Sequence, residues 1–324
     1  MRQLSRCLPL LALLPTFIDA QSPPDELHRL LEKSQQETNQ GQYDAAEADL
    51  TLALAQARAS NNRVLEFRAD ESLSRLKERQ NDLDAAELWL NSAVECLRRY
   101  KPGSESVALL DLQAFYAHHH LLGKEADNIK RMIEAWSSVA GSDSLGVASL
   151  TESLAQVHFS TGDNASAERE LRSVIAIYEK NGISASFACD LVRRHLLKVL
   201  TKVGDQDAMA ELRTYIQPDP PRRERPDVFP HVISQTEPKY PEKTLKTRLS
   251  TSVAIALDVD ETGHPQNLRL LQPMGLGFDE NAVATVSTWR FRPATRNGVP
   301  VACGAEVVVT FRLYPNTQPV KRSH

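Results

Sequence analysis

The sequence is short of most features that would mark a membrane span, a nucleic-acid binder, a disulfide scaffold or an enzyme. Beyond the first twenty residues no apolar run approaches the ~20 needed to cross a bilayer. Aromatic residues make up only 6% of the chain. Neither sign of charge dominates: a net charge of -4 and a pI near 6.2 give no general attraction to nucleic acid or anionic lipid. Four cysteines in 324 residues are too few and too scattered for a disulfide framework. With Cys7 in the leader, Cys96, Cys189 and Cys303 are expected as small buried side chains. The alternative is a Cys96–Cys189 bridge, which the spacing does not support.

Catalytic signatures are equally absent. There is no Gly-x-Ser-x-Gly, no phosphate-loop lysine and no His-Glu-x-x-His. Gly275-Leu276-Gly277 precedes a helical stretch but lacks a third glycine and a βαβ setting, so it reads as a turn rather than a dinucleotide site. Asn164-Ala165-Ser166 is a glycosylation sequon by spelling alone. Arg290 and Arg292 are explained by a solvated strand face as well as by an anion site. His118-His119-His120 invites a metal reading, but adjacent helical residues point about 100° apart. Three in a row cannot converge on one ion without help, and the triplet reads as a solvated helix end. The expectation is a protein with no catalytic residues, no cofactor and no metal.

What is present begins with residues 1–20, which have the form of a secretory signal peptide. Arg2 and Arg6 supply the positive start, Leu8 to Ile18 the apolar stretch, and Ala20 a small residue for cleavage. The apolar stretch is broken by Pro9 and Pro15 and is too short to span. The mature chain is therefore expected to be exported and periplasmic; the alternative is an uncleaved inner-membrane anchor.

Residues 24–216 are helical in pattern, almost free of proline and internally repetitive. Gly41-Gln42-Tyr43-Asp44-Ala45-Ala46 recurs as Asn81-Asp82-Leu83-Asp84-Ala85-Ala86, with weaker copies ending at Asn128, Ala167 and Met209. Packing residues follow each block at +4 and +7: Leu50 and Ala53, Leu90 and Ala93, Met132 and Ala135, Leu171 and Val174. The block ends lie 39 to 42 residues apart. A tight turn between two helices, followed by a small residue that lets neighbours approach, resembles the tetratricopeptide (TPR) repeat in a long variety. Five such pairs imply one all-α solenoid with a concave surface. Residues 217–230 form a proline-rich, charged linker, and residues 315–324 a polar tail expected to be disordered.

Residues 231–314 change period. Val253, Ile255, Leu257 and Val259 alternate with Ala254, Ala256 and Asp258, as in a strand with one buried face. A turn at Asp260–His264 leads to a second strand with Leu268 and Leu270. Asp279 is a candidate N-cap for a helix carrying Ala282, Val283, Val286 and Trp289. Asn297-Gly298 turns into a last strand with Val307, Val309, Phe311 and Leu313 on one face. The unit is therefore a small α+β domain, a three-stranded antiparallel sheet plus one helix.

The residues Tyr240-Pro241, Asp258, Gly263, Trp289-x-Phe291-x-Pro293-Ala294 and Gly298-x-Pro300-Val301, in that order, resemble the TonB C-terminal domain family. Thr251 stands where such domains often carry glycine. The resemblance implies protein partners, among them a TonB-dependent outer-membrane transporter whose extended segment is gripped while force arrives from an inner-membrane motor. It places the contact on an exposed sheet edge that can add a partner strand. In this chain that edge is Cys303 to Leu313, with Glu306, Val308, Thr310 and Arg312 at outward positions and Tyr240-Pro241 adjoining. Trp289, Phe291, Gly263 and Gly298 are expected to be structural.

Two roles follow. One is an adaptor that docks through the C-terminal domain while the repeats recruit a second protein. The other is a TPR scaffold whose C-terminal domain is accessory or dimerising; an uncleaved leader would add the energy-transducer role. Because the leader is short and proline-broken, Edman sequencing of exported protein should begin at or near Gln21. A full-length form extracted only by detergent is the contrary result.

Overall fold

The computed structural model describes residues 26–101, 103–217 and 225–314. The leader, the centre of the linker and the tail lie outside the described residues. Ten helices make five antiparallel pairs: α1 (Glu26–Asn39) with α2 (Tyr43–Ala59), α3 (Arg63–Arg79) with α4 (Leu83–Arg98), α5 (Ser106–His118) with α6 (Leu122–Ala140), α7 (Leu145–Thr161) with α8 (Asn164–Lys180), and α9 (Phe187–Val203) with the shorter α10 (Gln206–Arg213). The recurring blocks fall at the turns within the pairs. Asp82, Asp163 and Asp205 each cap the second helix of a pair by accepting a backbone N–H three residues on.

The small residues at the block ends act as the repeat pattern requires. Ala46, Ala86 and Ala167 are fully buried, and Leu50, Ala53, Ala93, Leu171 and Val174 pack beside them. The third block departs from the pattern in an instructive way. Asn128 is buried at a small-residue position, and its amide donates to the Leu109 carbonyl at 3.0 Å and to Gln113 Oε1 at 3.1 Å. A bulkier polar residue is tolerated there because its donors are satisfied across the pair.

The C-terminal unit contains β1 (His231–Ser234), β2 (Thr251–Val259), β3 (Pro265–Gln272), α11 (Phe278–Val286), β4 (Arg290–Arg292), β5 (Ala294–Arg296), β6 (Val299–Val301) and β7 (Cys303–Phe311). The main sheet is three-stranded and antiparallel, in the order β3–β2–β7. Two small ladders, β1–β4 and β5–β6, accompany it. The second is a two-residue hairpin in which Asn297 and Gly298 both take positive φ, as a turn matched to strand twist requires. Gly263 has a different task. A Cβ there would lie 2.0 Å from the Phe291 carbonyl oxygen, so only glycine lets the β2–β3 turn meet β4.

Three details differ from the sequence expectation. The N-cap of α11 is Gly277, not Asp279; the Asp279 carboxylate instead accepts the N–H groups of Met274 and Gly275, both at 2.8 Å, and closes the loop before the helix. Helix α11 stops at Val286, so Trp289 sits on the turn into β4, buried, with its indole N–H donating to the Thr236 carbonyl. Cys96 and Cys189 are both buried free thiols, whereas Cys303 is only half-buried.

The two units share one core. A single cluster of buried residues runs from Leu97, Leu109, Leu112 and Trp136 in the helices to Val253, Ile255, Phe278 and Phe311 in the sheet unit. Phe278 is its junction: its ring lies 5.1 Å from Phe311, 5.4 Å from Tyr240 and 6.1 Å from Trp136 of α6. Trp136 reaches it by lying across α7 at Gly146, where any Cβ would stand 2.2 Å from the indole. Polar contacts reinforce the seam. Ser106 Oγ accepts the Ser250 N–H at 2.7 Å, and Ser149 Oγ donates to the Pro273 carbonyl at 2.6 Å. The helices that meet the sheet unit in these contacts are largely the first helices of their pairs: α3 through Phe67 against Tyr314, α5 through Ser106, α7 through Ser149 and α9 through Phe187 under Arg269. The surface expected to be an open groove is thus covered in part by the chain's own C-terminal unit.

A shared core predicts shared unfolding. Phe278→Ala should cost ~3–5 kcal/mol, and Gly146→Val should displace Trp136 and have the same sign. In denaturant titrations followed by helical circular dichroism, both variants should shift the helical transition. If that transition stayed in place while near-ultraviolet signals changed, the two units would be energetically separate.

Candidate functional site

Strand β7 is the candidate site because it is an edge. Its inner side pairs with β2 along its whole length, from Thr251 opposite Phe311 to Val259 opposite Cys303. Among the described residues no strand pairs with its outer side. Backbone direction along it is set by one contact just beyond its end, where the Leu313 N–H donates to Ser250 Oγ at 3.0 Å on the β2 side. Since main-chain groups alternate along a strand, those of residues 303, 305, 307, 309 and 311 face β2. Those of Gly304, Glu306, Val308 and Thr310 face outward. The facing hydroxyls of Ser252 and Thr310, 3.0 Å apart, suit the closer, non-hydrogen-bonded kind of pair that this register requires.

Side chains divide by the same period. Val309 and Phe311 are buried, while Gly304, Glu306, Val308 and Thr310 are exposed. Val308 stands out, an aliphatic side chain 62% exposed in the middle of an open edge. Edges of this kind are usually blunted by proline, charge or a bulge. Here the nine-residue strand contains one charged residue, Glu306, and no proline.

The structure separates the expected site residues into two groups. Glu306, Val308 and Thr310 lie together on the outward, solvent-facing positions, and Cys303 starts the strand with its thiol donating to the Gly304 carbonyl. The others are turned to the interior. The Tyr240 hydroxyl donates to the Leu249 carbonyl at 2.6 Å and its ring stacks edge-on against Phe278. Burial pushes the Tyr240 phenol up to about 12. Pro241 is buried beneath Gly277, whose added Cβ would come within 3.2 Å of it.

Arg312 also leaves the edge, pairing with Asp111 of α5. Burial opposes its charge, but Asp111 and Tyr314 beside it hold the guanidinium protonated well above the ordinary arginine range. Glu71 and Arg75 of α3 form a further ion pair within the same electrostatic group. The C-terminal end of the edge strand is therefore tied to the first helices of two repeats. Sequence reasoning did not find Asp111, Glu71 or Phe278: no local pattern marks the contacts of Asp111 with Arg312 or of Phe278 with Trp136, which join residues far apart in the chain.

Residues 236–313 match the family model of the Gram-negative bacterial TonB protein C-terminal. The segment is also similar to the protein TonB of Vibrio cholerae serotype O1, at 29% identity over 83 residues. That alignment takes in 25% of this chain and 34% of the relative, so the chain spans about a third of the curated relative it matches. For the helical part, a Podosopora anserina putative kinesin light chain with nearly identical TPR-like repeats aligns at 16% identity and a TM-score of 0.40, over 60% of this chain and 95% of that one. The apo form of RapI aligns at 12% identity and a TM-score of 0.39, over 59% and 69%. The matched residues 236–313 include the whole of the open edge.

The buried carboxylates of α3 give a pH test. Loss of hydration pushes Glu71 up to about 6 and Asp70 up to about 7. Asp70 is fully buried, with Ser92 Oγ donating to one oxygen at 2.9 Å. Each group binds its proton more tightly in the folded chain than in the unfolded one, where carboxyls titrate at about 4. Their contribution is therefore most favourable at low pH and is lost as pH rises through 6 and 7. Asp70→Asn should raise stability at pH 7.5 relative to wild type by more than it does near pH 5, read from denaturant midpoints. An equal effect at both values would remove Asp70 as the titrating group.

Proposed function

We propose that this protein is an exported, non-catalytic adaptor whose TonB-type domain docks an envelope protein by strand addition on β7. The observation that carries the reading is the open outer side of that strand, with the main-chain groups of Gly304, Glu306, Val308 and Thr310 directed away from the sheet. An extended partner segment pairing there gains main-chain hydrogen bonds, and alternate side chains add selectivity. Val308 supplies an apolar contact and Glu306 a charge to which a basic residue can respond. A TonB-dependent outer-membrane transporter is the partner class that the family match suggests.

The solenoid recruits a second protein in this reading. With its first helices engaged by the TonB-type domain, the surface left for that partner is the row of second helices, where Leu52 of α2 and Leu88 of α4 are exposed. A scaffold role, with the TonB-type domain accessory, is the second reading, and the shared core favours it to the extent that the two units act as one body. No helix among the described residues is long and apolar enough to cross a membrane. Force transmission would need an anchor outside them.

Main-chain pairing tolerates side-chain change but not loss of an outward donor. Thr310→Ala should weaken capture of the envelope partner only modestly, whereas Val308→Pro should abolish it with the thermal midpoint nearly unchanged. Crosslinking from position 308 in intact cells, read by mass spectrometry, gives the partner. Binding that survives proline at 306, 308 and 310 would rule out strand addition, and a strand-paired dimer seen in sedimentation would assign the edge to a second copy.

A further inference from the structure

The histidine triplet at the end of α5 is not absorbed by the docking edge, and the fold changes what it can do. Helix α5 stops at His118. His119 is its C-cap, with φ -91° and ψ 6°, and His120 takes a left-handed φ of 56°. The three rings therefore do not follow helical spacing. His118 and His119 stay together, their ring centroids 4.8 Å apart and nearly perpendicular, while His120 is carried off by the turn.

The neighbouring repeat then supplies a third donor. Glu78, in the last turn of α3, places Oε1 2.9 Å from His119 Nε2. One donor atom from each of Glu78, His118 and His119 lies within 4.8 Å of the other two. Two other histidines in the solenoid pair with carboxylates, His158 with Glu170 at 2.9 Å and His195 with Glu152 at 3.0 Å. Among the described residues neither pair has a second imidazole beside it to make a three-donor group. The Phe115 ring, 4.7 Å from that of His119, backs the cluster on its inner side, and His118 leaves it open to solvent.

We propose that Glu78, His118 and His119 form a site for one divalent transition-metal ion, zinc in the first instance, that links the ends of α3 and α5. Two imidazoles and a carboxylate are the donor set that such ions favour over calcium or magnesium. With zinc–nitrogen and zinc–oxygen bonds of about 2.0–2.2 Å, tetrahedral donors stand about 3.3 Å apart. The donors stand within 4.8 Å of one another, so the exposed His118 ring has to close on the other two as the ion binds, with water in the fourth position. The ion takes the place of the hydrogen between His119 Nε2 and Glu78, and the ring then carries its proton on Nδ1. A metal held there ties the second repeat to the third, the two repeats that also carry Glu71 and Asp111.

The test uses the full chain, purified without a histidine tag, titrated with Zn²⁺ against a chromophoric chelator and with Co²⁺ for its visible absorption bands. One Zn²⁺ per chain is expected, with a tetrahedral Co²⁺ spectrum. His118→Ala and Glu78→Gln should each weaken Zn²⁺ binding about tenfold or more, as loss of a ligand requires. His120→Ala should leave it unchanged. His118 and His120 are both exposed, and circular dichroism verifies that each variant keeps its fold. Equal binding by wild type and His118→Ala, or an equal loss in His120→Ala, would overturn the site; the latter would mean chelation by the triplet alone.

Discussion

The contact that joins the two units of this molecule is the tilted packing of Trp136 against Phe278. Trp136 belongs to a helical repeat and Phe278 to the TonB-type domain, yet their rings lie 6.1 Å apart in one apolar cluster. The contact exists because Gly146 has no side chain where the indole crosses α7. From Phe278 the same packing reaches Tyr240 on one side and Phe311 on the other. Two units that could each have folded around a small core instead bury one larger core between them. A small domain of this size gains markedly from added buried area, since little of its own chain can be removed from water.

This seam gives the candidate docking edge a fixed support. Phe311 ends β7 inside the core, and Arg312 just beyond it is held by Asp111 of α5. One end of the strand is thus fastened to the solenoid, while Glu306, Val308 and Thr310 face solvent. A partner strand added there would meet a pre-positioned template, and less ordering entropy opposes association when one side is already rigid. The same arrangement changes the meaning of the solenoid. Helices α3, α5, α7 and α9 touch a folded unit of the same chain, so the solenoid holds the sheet unit and its open edge in place.

Polar groups at the seam follow the usual rule that burial demands a partner. Ser106 and Ser149 satisfy backbone groups of the other unit, and Asp279 closes the loop that presents Phe278. The buried acids of α3 are the costly part. Asp70 and Glu71 are held where water is excluded, and both carboxyls are pushed up toward neutrality. Such groups add little net stability, because the hydration they lose offsets what their partners return.

By itself the sequence determined the period of each part. Blocks ending at Ala46, Ala86 and Ala167 give helix pairs because a small residue after a tight turn admits close approach, and these residues are indeed buried. Alternation over residues 253–259 and 307–313 gives strands with one buried face, and Asn297-Gly298 gives a hairpin, since each is a local consequence of backbone geometry. The same alternation marked Glu306, Val308 and Thr310 as outward, whereas Arg312, expected with them, is drawn to Asp111; that this strand is the docking edge was implied by the family resemblance and not by its period. Tertiary structure alone decided which residues from distant repeats meet. Phe278, between Gly277 and Asp279, carries no pattern of its own, Arg312 meets Asp111 across the chain, and Glu78 comes to His118 and His119 from another helix. Periodicity records which face of an element is apolar, but not what that face will touch. The partner is set by the packing of the whole chain.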